Sequence, residues 1–263
     1  MAKHSRIWNR SVYDKYLREG RGCGRGSDYK PWVLIQDFAS QGIVSRVKGQ
    51  TTGRIHHLMS KNELSYFYLL DWSDDVEDIR EQYPLSDLDM ALKIASQTDI
   101  KYPTDNTSGF PYILTCDFMI TTHKGLKART VKISSELKEK RVIEKLEIER
   151  RYWDNYGIDW KIVTENEISY IKAKNIEWLY SSQNFDLASE SDELRDAVLV
   201  MLEMFKVSEY SVLETIKEIE KKFSLTKGMG LMLFKHLALN KKIALDLNKT
   251  LDLKNIKKVS VIK

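Results

Sequence analysis

The feature that most constrains the fold is a hairpin near the middle of the chain, within CDFMITTHKGLKARTVKIS (116–134). Apolar and β-branched residues predict two strands, over 112–121 and 127–134. The short segment between them contains Gly125, which supplies the positive φ that a tight hairpin turn needs. A chain of this kind is expected to build an antiparallel ribbon at its centre.

Each strand of this ribbon carries one charged residue among apolar neighbours: Asp117 in the first and Lys132 in the second. If Lys124 and Gly125 are the two loop residues, Asp117 lies opposite Lys132, and Thr130 shares the face of Lys132. One interpretation is a solvated cross-strand ion pair, which stabilises a fold by about 0–1 kcal/mol. The other is a functional site, because apolar residues share this face.

Two further carboxylates are predicted to face inward from helices. A helix over about 60–72 begins with the capping-box pattern SKNE, with Ser60 as N-cap and Glu63 in the first turn. A longer helix over about 135–156 carries an apolar stripe that Glu149 interrupts. Because a buried carboxylate needs a partner or a cation, both are candidate site residues.

Each of these acids also has a structural interpretation. Glu63 could serve only as the acid of its capping box. Glu149 could form a buried pair with Arg150, Arg151 or Lys132. The chemistry that uses carboxylates and a lysine together is phosphodiester hydrolysis, in which carboxylates hold one or two Mg²⁺ ions and the lysine stabilises the transition state.

The remaining elements predict an α/β core. Segments 79–85 and 159–165 are typical of strands, and 176–180 is typical of a helical turn. Residues 86–110 indicate a polar, turn-rich connection around one weakly apolar run. Strands and helices in this order favour a mixed sheet flanked by helices.

The C-terminal part has a different pattern. Three short amphipathic helices are followed by short apolar segments that suggest a small terminal sheet. This order is typical of a winged helix-turn-helix domain. We therefore predict a catalytic domain over 1–168 with a flexible, basic N-terminal arm, a linker or helical connection over 169–190, and a winged helix-turn-helix domain over 191–263. Three lysines on or near the third helix could contact phosphate or a protein partner: Lys227, Lys235 and Lys241.

Charge is unevenly distributed. Residues 1–56 hold eleven Lys and Arg against four Asp and Glu, residues 205–263 hold thirteen against six, and the segment between them is acidic. Basic ends around an acidic middle suit a protein that binds a polyanion with its flanks. Long uncharged apolar stretches and an apolar N-terminal segment are both lacking, so we expect no membrane span and no secretory signal. Cys23 and Cys116 are too isolated for a zinc site, and a reducing cytoplasm is expected.

Several segments, in order and spacing, resemble the TnsA endonuclease subunits of heteromeric Tns-type transposases, which belong to the PD-(D/E)xK restriction-endonuclease-like superfamily. The segments are GRGCGRGSDYKPW, GRIHHLMSKNELSYFYLLDW, DIREQYPL, CDF, EKLEIERRYW and NIEWLY. The resemblance runs from about residue 18 to residue 180. Beyond 190 it depends on length and domain order.

The resemblance implies an α/β nuclease core followed by a helix-turn-helix domain. It implies Mg²⁺-dependent cleavage, with Mn²⁺ as a possible substitute, of the 5′ strand at the transposon ends. The implied partners are double-stranded DNA, the DDE transposase TnsB and the AAA+ regulator TnsC, in a bacterial cytoplasm and at the nucleoid.

Site residues follow from the same resemblance. It places Glu63 and Asp117 among the metal-binding acids, Lys132 at the catalytic lysine and Glu149 close to the site. It also makes the Val131 carbonyl a metal ligand. Thr130 departs from the pattern, because the wider superfamily has an acid there, so the number of bound metals stays open. Two other functions stay open: a free-standing nuclease of the same fold, and a non-catalytic DNA-binding or scaffolding subunit with a decayed nuclease core.

Overall fold

The chain folds into two compact units, Met1–Ile168 and Ser169–Lys263. The structure is a computed structural model that describes residues 7–37, 43–207, 209–257 and 259–262. In these ranges, no helix combines the length and the apolar composition that crossing a membrane requires.

The first unit contains a mixed four-stranded sheet. The strands of the first unit, in chain order, are β1 (Ser45–Lys48), β2 (Ile55–Leu58), β3 (Val76–Pro84), β4 (Thr115–Thr122), β5 (Gly125–Val131) and β6 (Asp159–Val163). The first two pair with each other, and the other four form one sheet in the order β3-β4-β5-β6. Neighbours are antiparallel except β5 and β6, which are parallel. The strands predicted over 79–85 and 159–165 are confirmed.

Helices flank this sheet, as expected for an α/β nuclease core. They are α1 (Arg10–Arg18), α2 (Lys61–Asp71), α3 (Leu88–Gln97) and α4 (Lys140–Asn155). The predicted helices over 60–72 and 135–156 are confirmed, although a 3₁₀ turn (Ser134–Lys138) precedes the second. Gly157 follows α4 with φ +65°, the left-handed conformation that ends helices at low cost.

The prediction of a turn-rich connection over 86–110 is wrong in its first half, where α3 lies. Asp87 caps this helix by accepting a hydrogen bond from the backbone N of Met90 at 2.9 Å. Ala91, Ile94 and Ala95 form its buried face and join the core with residues of β4 and α4. Leu88, Met90 and Leu92 also pack against this core, so the apolar face of the ten-residue helix extends beyond the short apolar run that the sequence indicates.

The predicted pairing within the central hairpin is also wrong, by two residues. Thr122 pairs with Gly125, so the loop residues are His123 and Lys124. Gly125 uses its φ of +112° at the first position of β5 instead of inside the loop. Because side chains alternate with period two, a shift of two residues keeps the same side chains on the same face of the ribbon.

The N-terminal residues described in the structure are not a flexible arm. Trp8, Tyr16 and Trp32 are buried and pack together in an aromatic cluster. Gly22 lies so close to β3 that an added Cβ would be 2.5 Å from Pro84. Aromatic residues in this segment supply the apolar area that holds it against the sheet.

The second unit consists of helices followed by a very small sheet. Its main elements are α5 (Tyr170–Tyr180), α6 (Asp192–Val207), α7 (Val212–Lys222), α8 (Met229–Leu239), β7 (Ile243–Ala244) and β8 (Ser260–Val261). Ser211 and Glu214 form a capping box at the start of α7, and β7 pairs antiparallel with β8. A winged helix-turn-helix remains a prediction for this unit.

Candidate active site

Asp117 and Lys132 converge at one edge of the sheet, where β4 begins and β5 ends. The Oδ2 of Asp117 accepts a hydrogen bond from the backbone N of Val131 at 2.6 Å. The Nζ of Lys132 lies 3.8 Å from the same oxygen and donates to the carbonyl oxygen of Val131 at 3.1 Å. The predicted proximity of the carboxylate and the ammonium group is therefore present in the shifted register.

Glu63 approaches Asp117 from the first turn of α2. Ser60 caps the helix by accepting a hydrogen bond from the backbone N of Glu63 at 3.1 Å. The Oε2 of the Glu63 carboxylate accepts a hydrogen bond from the backbone N of Met59 at 2.9 Å, and a side-chain hydrogen bond with Ser60 also acts on this carboxylate. Glu63 is therefore a first-turn acid whose buried carboxylate also faces the site.

Glu149 reaches the site from α4 and is 5% exposed. Its Oε1 accepts hydrogen bonds from the hydroxyl of Thr130 and, at 2.8 Å, from the indole Nε1 of Trp160. The nearby arginines, Arg150 and Arg151, both pair with Glu147 instead. The structural alternative in which Glu149 pairs with one of these arginines is therefore wrong.

Burial and mutual repulsion shift the proton affinities of these groups. Burial, followed by the negative charge of Asp117, raises the pKa of Glu63 to about 8. Burial also raises the pKa of Glu149 to about 7, against the hydrogen bonds from Thr130 and Trp160. The charge of Asp117 raises the pKa of Lys132, so this lysine is a cation at neutral pH.

Two cavities are both lined by Lys132 and Glu136. One of about 350 Å³ is lined by Asp117, Thr130, Lys145 and Glu149, among others. The other, of about 270 Å³, is lined by Lys61, Asn62, Glu63 and Val131, among others. The predicted site residues therefore line solvent-accessible space, and each cavity is also lined by an exposed lysine.

Two residues of this site, Gln82 and Trp160, are not predicted from the sequence. The side-chain amide of Gln82 lies between the carboxylates of Glu63 and Asp117, with its Nε2 3.4 and 3.5 Å from them. The indole of Trp160 holds Glu149. A polar residue in the middle of the predicted strand IREQYPL was the available signal for Gln82, while no sequence signal marked Trp160.

Among the residues that the structure describes, no histidine or cysteine joins the site. His56 is fully buried between the hydroxyl of Thr52 and the carboxylate of Glu81, both at 2.7 Å, and is a packing residue. Cys23 and Cys116 are both free. Across the parts of the chain that the structure describes, no group of three or more His, Cys, Asp and Glu residues is arranged to hold a metal ion.

Comparison with known proteins assigns the family. A family model described as TnsA-like endonuclease N terminal matches residues 73–165, and one described as TnsA endonuclease C terminal matches residues 167–247. The chain is 39% identical over 193 residues to the transposon Tn7 transposition protein TnsA of Escherichia coli. This aligned region covers 72% of this chain and 70% of the relative. The chain belongs to the TnsA endonuclease family. The predicted resemblance is confirmed, and the chain is a homologue of a transposition nuclease.

The match to the N-terminal family model covers only some of the site residues. The N-terminal family model spans Asp117, Thr130, Lys132 and Glu149, whereas Glu63 lies before its first matched residue. The assignment of Glu63 to the site therefore depends on geometry, namely its burial in α2 and the Gln82 amide that it shares with Asp117.

Proposed function

We propose that this protein is the DNA-cleaving subunit of a heteromeric transposase, hydrolysing phosphodiester bonds of the 5′ strands at transposon ends in the presence of Mg²⁺. One observation carries the proposal: two buried carboxylates, Glu63 and Asp117, face one amide, and Lys132 lies 3.8 Å from Asp117 beside open cavities. Family membership gives the reaction class its support.

The available donors suit a hard divalent ion. All are oxygens: the carboxylates of Glu63 and Asp117, the Val131 carbonyl and the Thr130 hydroxyl. The raised pKa of Glu63 also fits, because a cation would offset the repulsion between the two acids. We propose that these groups hold one or two Mg²⁺ ions, which lower the pKa of bound water and neutralise charge on the phosphate.

Lys132 and Glu149 have separate tasks in this proposal. Lys132 stays protonated beside Asp117 and stabilises the negative charge that develops on the attacked phosphate. Glu149 holds the hydroxyl of Thr130 and, through its charge, contributes to keeping Lys132 protonated. The exposed lysines of the two cavities, Lys61 and Lys145, are suited to neighbouring phosphates of a DNA strand.

The proposed partners follow from family membership. We propose that a DDE transposase of the TnsB type cuts the other strand and that an AAA+ regulator of the TnsC type controls the complex. The excess of positive charge over residues 1–56 and 205–263 suits contact with DNA at the transposon ends.

The test is nicking of labelled transposon-end DNA by wild type, Asp117→Ala and Lys132→Ala, with and without Mg²⁺ and with and without the partner transposase. We expect 5′-strand cleavage only by wild type with both Mg²⁺ and the partner. Cleavage without the partner would favour a free-standing nuclease.

A second candidate function is a non-catalytic DNA-binding or scaffolding subunit. The observation that favours it is that no three-residue metal-binding group occurs among the described residues, and Thr130 stands where the wider superfamily has an acid. Identical behaviour of wild type and both variants would support this function.

A further inference from the structure

Gln82 has a backbone conformation that its position does not explain. It lies inside β3 and is 6% exposed, yet its φ is +50°, in the left-handed region that non-glycine residues rarely adopt. The ladder pairs Glu81 with Phe118 and Tyr83 with Cys116, so Gln82 lies between these pairs, opposite Asp117. Such a conformation costs free energy and persists only when its surroundings fix it.

Residues of the N-terminal segment hold the backbone of Gln82 in this conformation. The backbone N of Trp32 donates to the carbonyl oxygen of Gln82 at 3.2 Å, and the hydroxyl of Tyr29 donates to the carbonyl oxygen of Glu81 at 3.0 Å. Both donors belong to buried aromatic residues. The edge of β3 is therefore held in place beside Gln82 by packed side chains.

The side chain of Gln82 is oriented at both ends. Its Oε1 accepts a hydrogen bond from the hydroxyl of Thr115 at 3.2 Å, while its Nε2 lies 3.4 Å from Glu63 Oε2 and 3.5 Å from Asp117 Oδ1. An amide nitrogen only donates hydrogen bonds and carboxylate oxygens accept them, so the nitrogen is the end that faces the two acids. With the nitrogen facing the acids, the hydroxyl of Thr115 donates to the oxygen at the other end and holds the amide in this orientation.

We propose that Gln82, oriented by Thr115, is a positioning residue that aims the carboxylates of Glu63 and Asp117 at a common divalent metal ion. Two buried like charges repel each other, and one donor shared between them holds an oxygen of each towards the same point. Polar partners that orient metal ligands typically change metal affinity by roughly 10–100-fold. This inference rests on the metal requirement of the proposed function.

The test measures Mn²⁺ binding to the full chain without DNA, from the electron paramagnetic resonance signal of the free ion. The chains are wild type, Gln82→Met, Thr115→Val, Thr115→Ser, the double variant Gln82→Met/Thr115→Val, and Asp117→Ala. Methionine is unbranched and similar in length to glutamine but has no amide. Thermal melts by circular dichroism show whether each chain is folded.

We expect Gln82→Met to weaken Mn²⁺ binding by roughly 10-fold, and Thr115→Val to weaken it by a smaller factor. Thr115→Ser keeps the hydroxyl and should bind like wild type. Because Thr115 acts through the amide, the double variant should bind no more weakly than Gln82→Met. A purely structural role would not separate valine from serine in this way.

Wild-type affinity in both Gln82→Met and Thr115→Val, or multiplied losses in the double variant, would overturn the positioning role. If Gln82→Met does not fold, the comparison of Thr115→Val with Thr115→Ser decides. The proposed function fails separately: it loses its metal site if wild type binds no Mn²⁺ or if Asp117→Ala binds as well as wild type. Loss of binding in Asp117→Ala with none in the Gln82 and Thr115 variants overturns only the role of Gln82.

Discussion

The hydroxyl of Thr130 donates a hydrogen bond to Oε1 of Glu149, joining strand β5 to helix α4 at the cavity that Lys132 also lines. Both side chains are buried. The hydroxyl has its hydrogen committed to Glu149, and its lone pairs remain available towards the cavity. Thr130 therefore has a structural partner whether or not it is also a metal ligand.

Replacing Thr130 by valine should show how much its hydrogen bond to Glu149 contributes to stability. Valine keeps the branched shape but leaves Glu149 with only the indole of Trp160 as a donor. We expect the free energy of unfolding to fall by roughly 1–3 kcal/mol, since a buried acceptor loses a partner. Urea denaturation measures this loss, and Thr130→Ser, which retains the hydroxyl, is the matched control. Equal stability of the two variants would show that the hydrogen bond contributes nothing.

Lys132 should not be replaceable by another cation. Its Nζ is placed by the Val131 carbonyl and by Asp117, 3.8 Å away. Arginine carries the same charge in a wider planar group, so it cannot occupy this position in the same way. We expect Lys132→Met to reduce the single-turnover rate of end cleavage by at least about 100-fold, and Lys132→Arg to restore only part of it.

Binding of the end DNA without metal is the control for these two variants, and Lys132→Arg should change it little. A wild-type cleavage rate in Lys132→Arg would mean that charge alone, and not the placement of the ammonium group, matters at this position.

Glu63 should lower the stability of the metal-free protein at high pH. Its pKa is about 8 in the folded protein, above the value of about 4.3 for an exposed glutamate. The folded state keeps a proton that the unfolded state releases, so this contribution to stability falls as pH rises from about 4.3 to 8. At pH 8.5 with EDTA, Glu63→Gln should melt roughly 2–8 °C above wild type.

Mn²⁺ should reverse the order of these melting temperatures, because wild type gains stability from a ligand that Glu63→Gln binds poorly. Glu147→Gln is the control, since hydrogen bonds from Arg150 and Arg151 lower the pKa of Glu147, to about 2. The melting temperature of Glu147→Gln should not rise relative to that of wild type as pH increases. A Glu63→Gln variant that is less stable than wild type at pH 8.5 would contradict the buried, repelled carboxylate.

The parts of the site that could be predicted are those fixed by periodicity. Asp117, Thr130 and Lys132 share a face because side chains alternate along a strand, and this holds even though the pairing was wrong by two residues. Glu63 could be placed because its helix has a strong start signal at Ser60. Local rules of this kind need no knowledge of the tertiary contacts.

The parts that could not be predicted depend on distant contacts. The left-handed φ of Gln82 follows from hydrogen bonding to Trp32, fifty residues earlier in the sequence, and no residue preference encodes it. Trp160 meets Glu149 because β6 pairs with β5 in a register that places Trp160 beside Ala128. Glycines and basic residues predict a flexible N-terminal arm, whereas the tryptophans and tyrosines of this segment decide its packing.

The boundary between the two compact units lies between Ile168 and Ser169. Residues 1–168 should fold without the rest of the chain, because they contain the whole four-stranded sheet and its core. A cut after residue 184, inside the predicted linker, should give a poorer fragment. It would retain α5 but lose α8, and it would lose the backbone oxygens of Leu247 and Lys249 that accept from Asn175 at 2.8 Å. The buried face of α5, which includes Ile176 and Leu179, would then be exposed.

We expect both fragments to melt cooperatively by circular dichroism, and only the 1–184 fragment to bind a dye specific for exposed apolar surface. The full chain is the reference for both measurements. A 1–168 fragment that lacks a cooperative melt would show that the nuclease unit depends on the second unit for its stability.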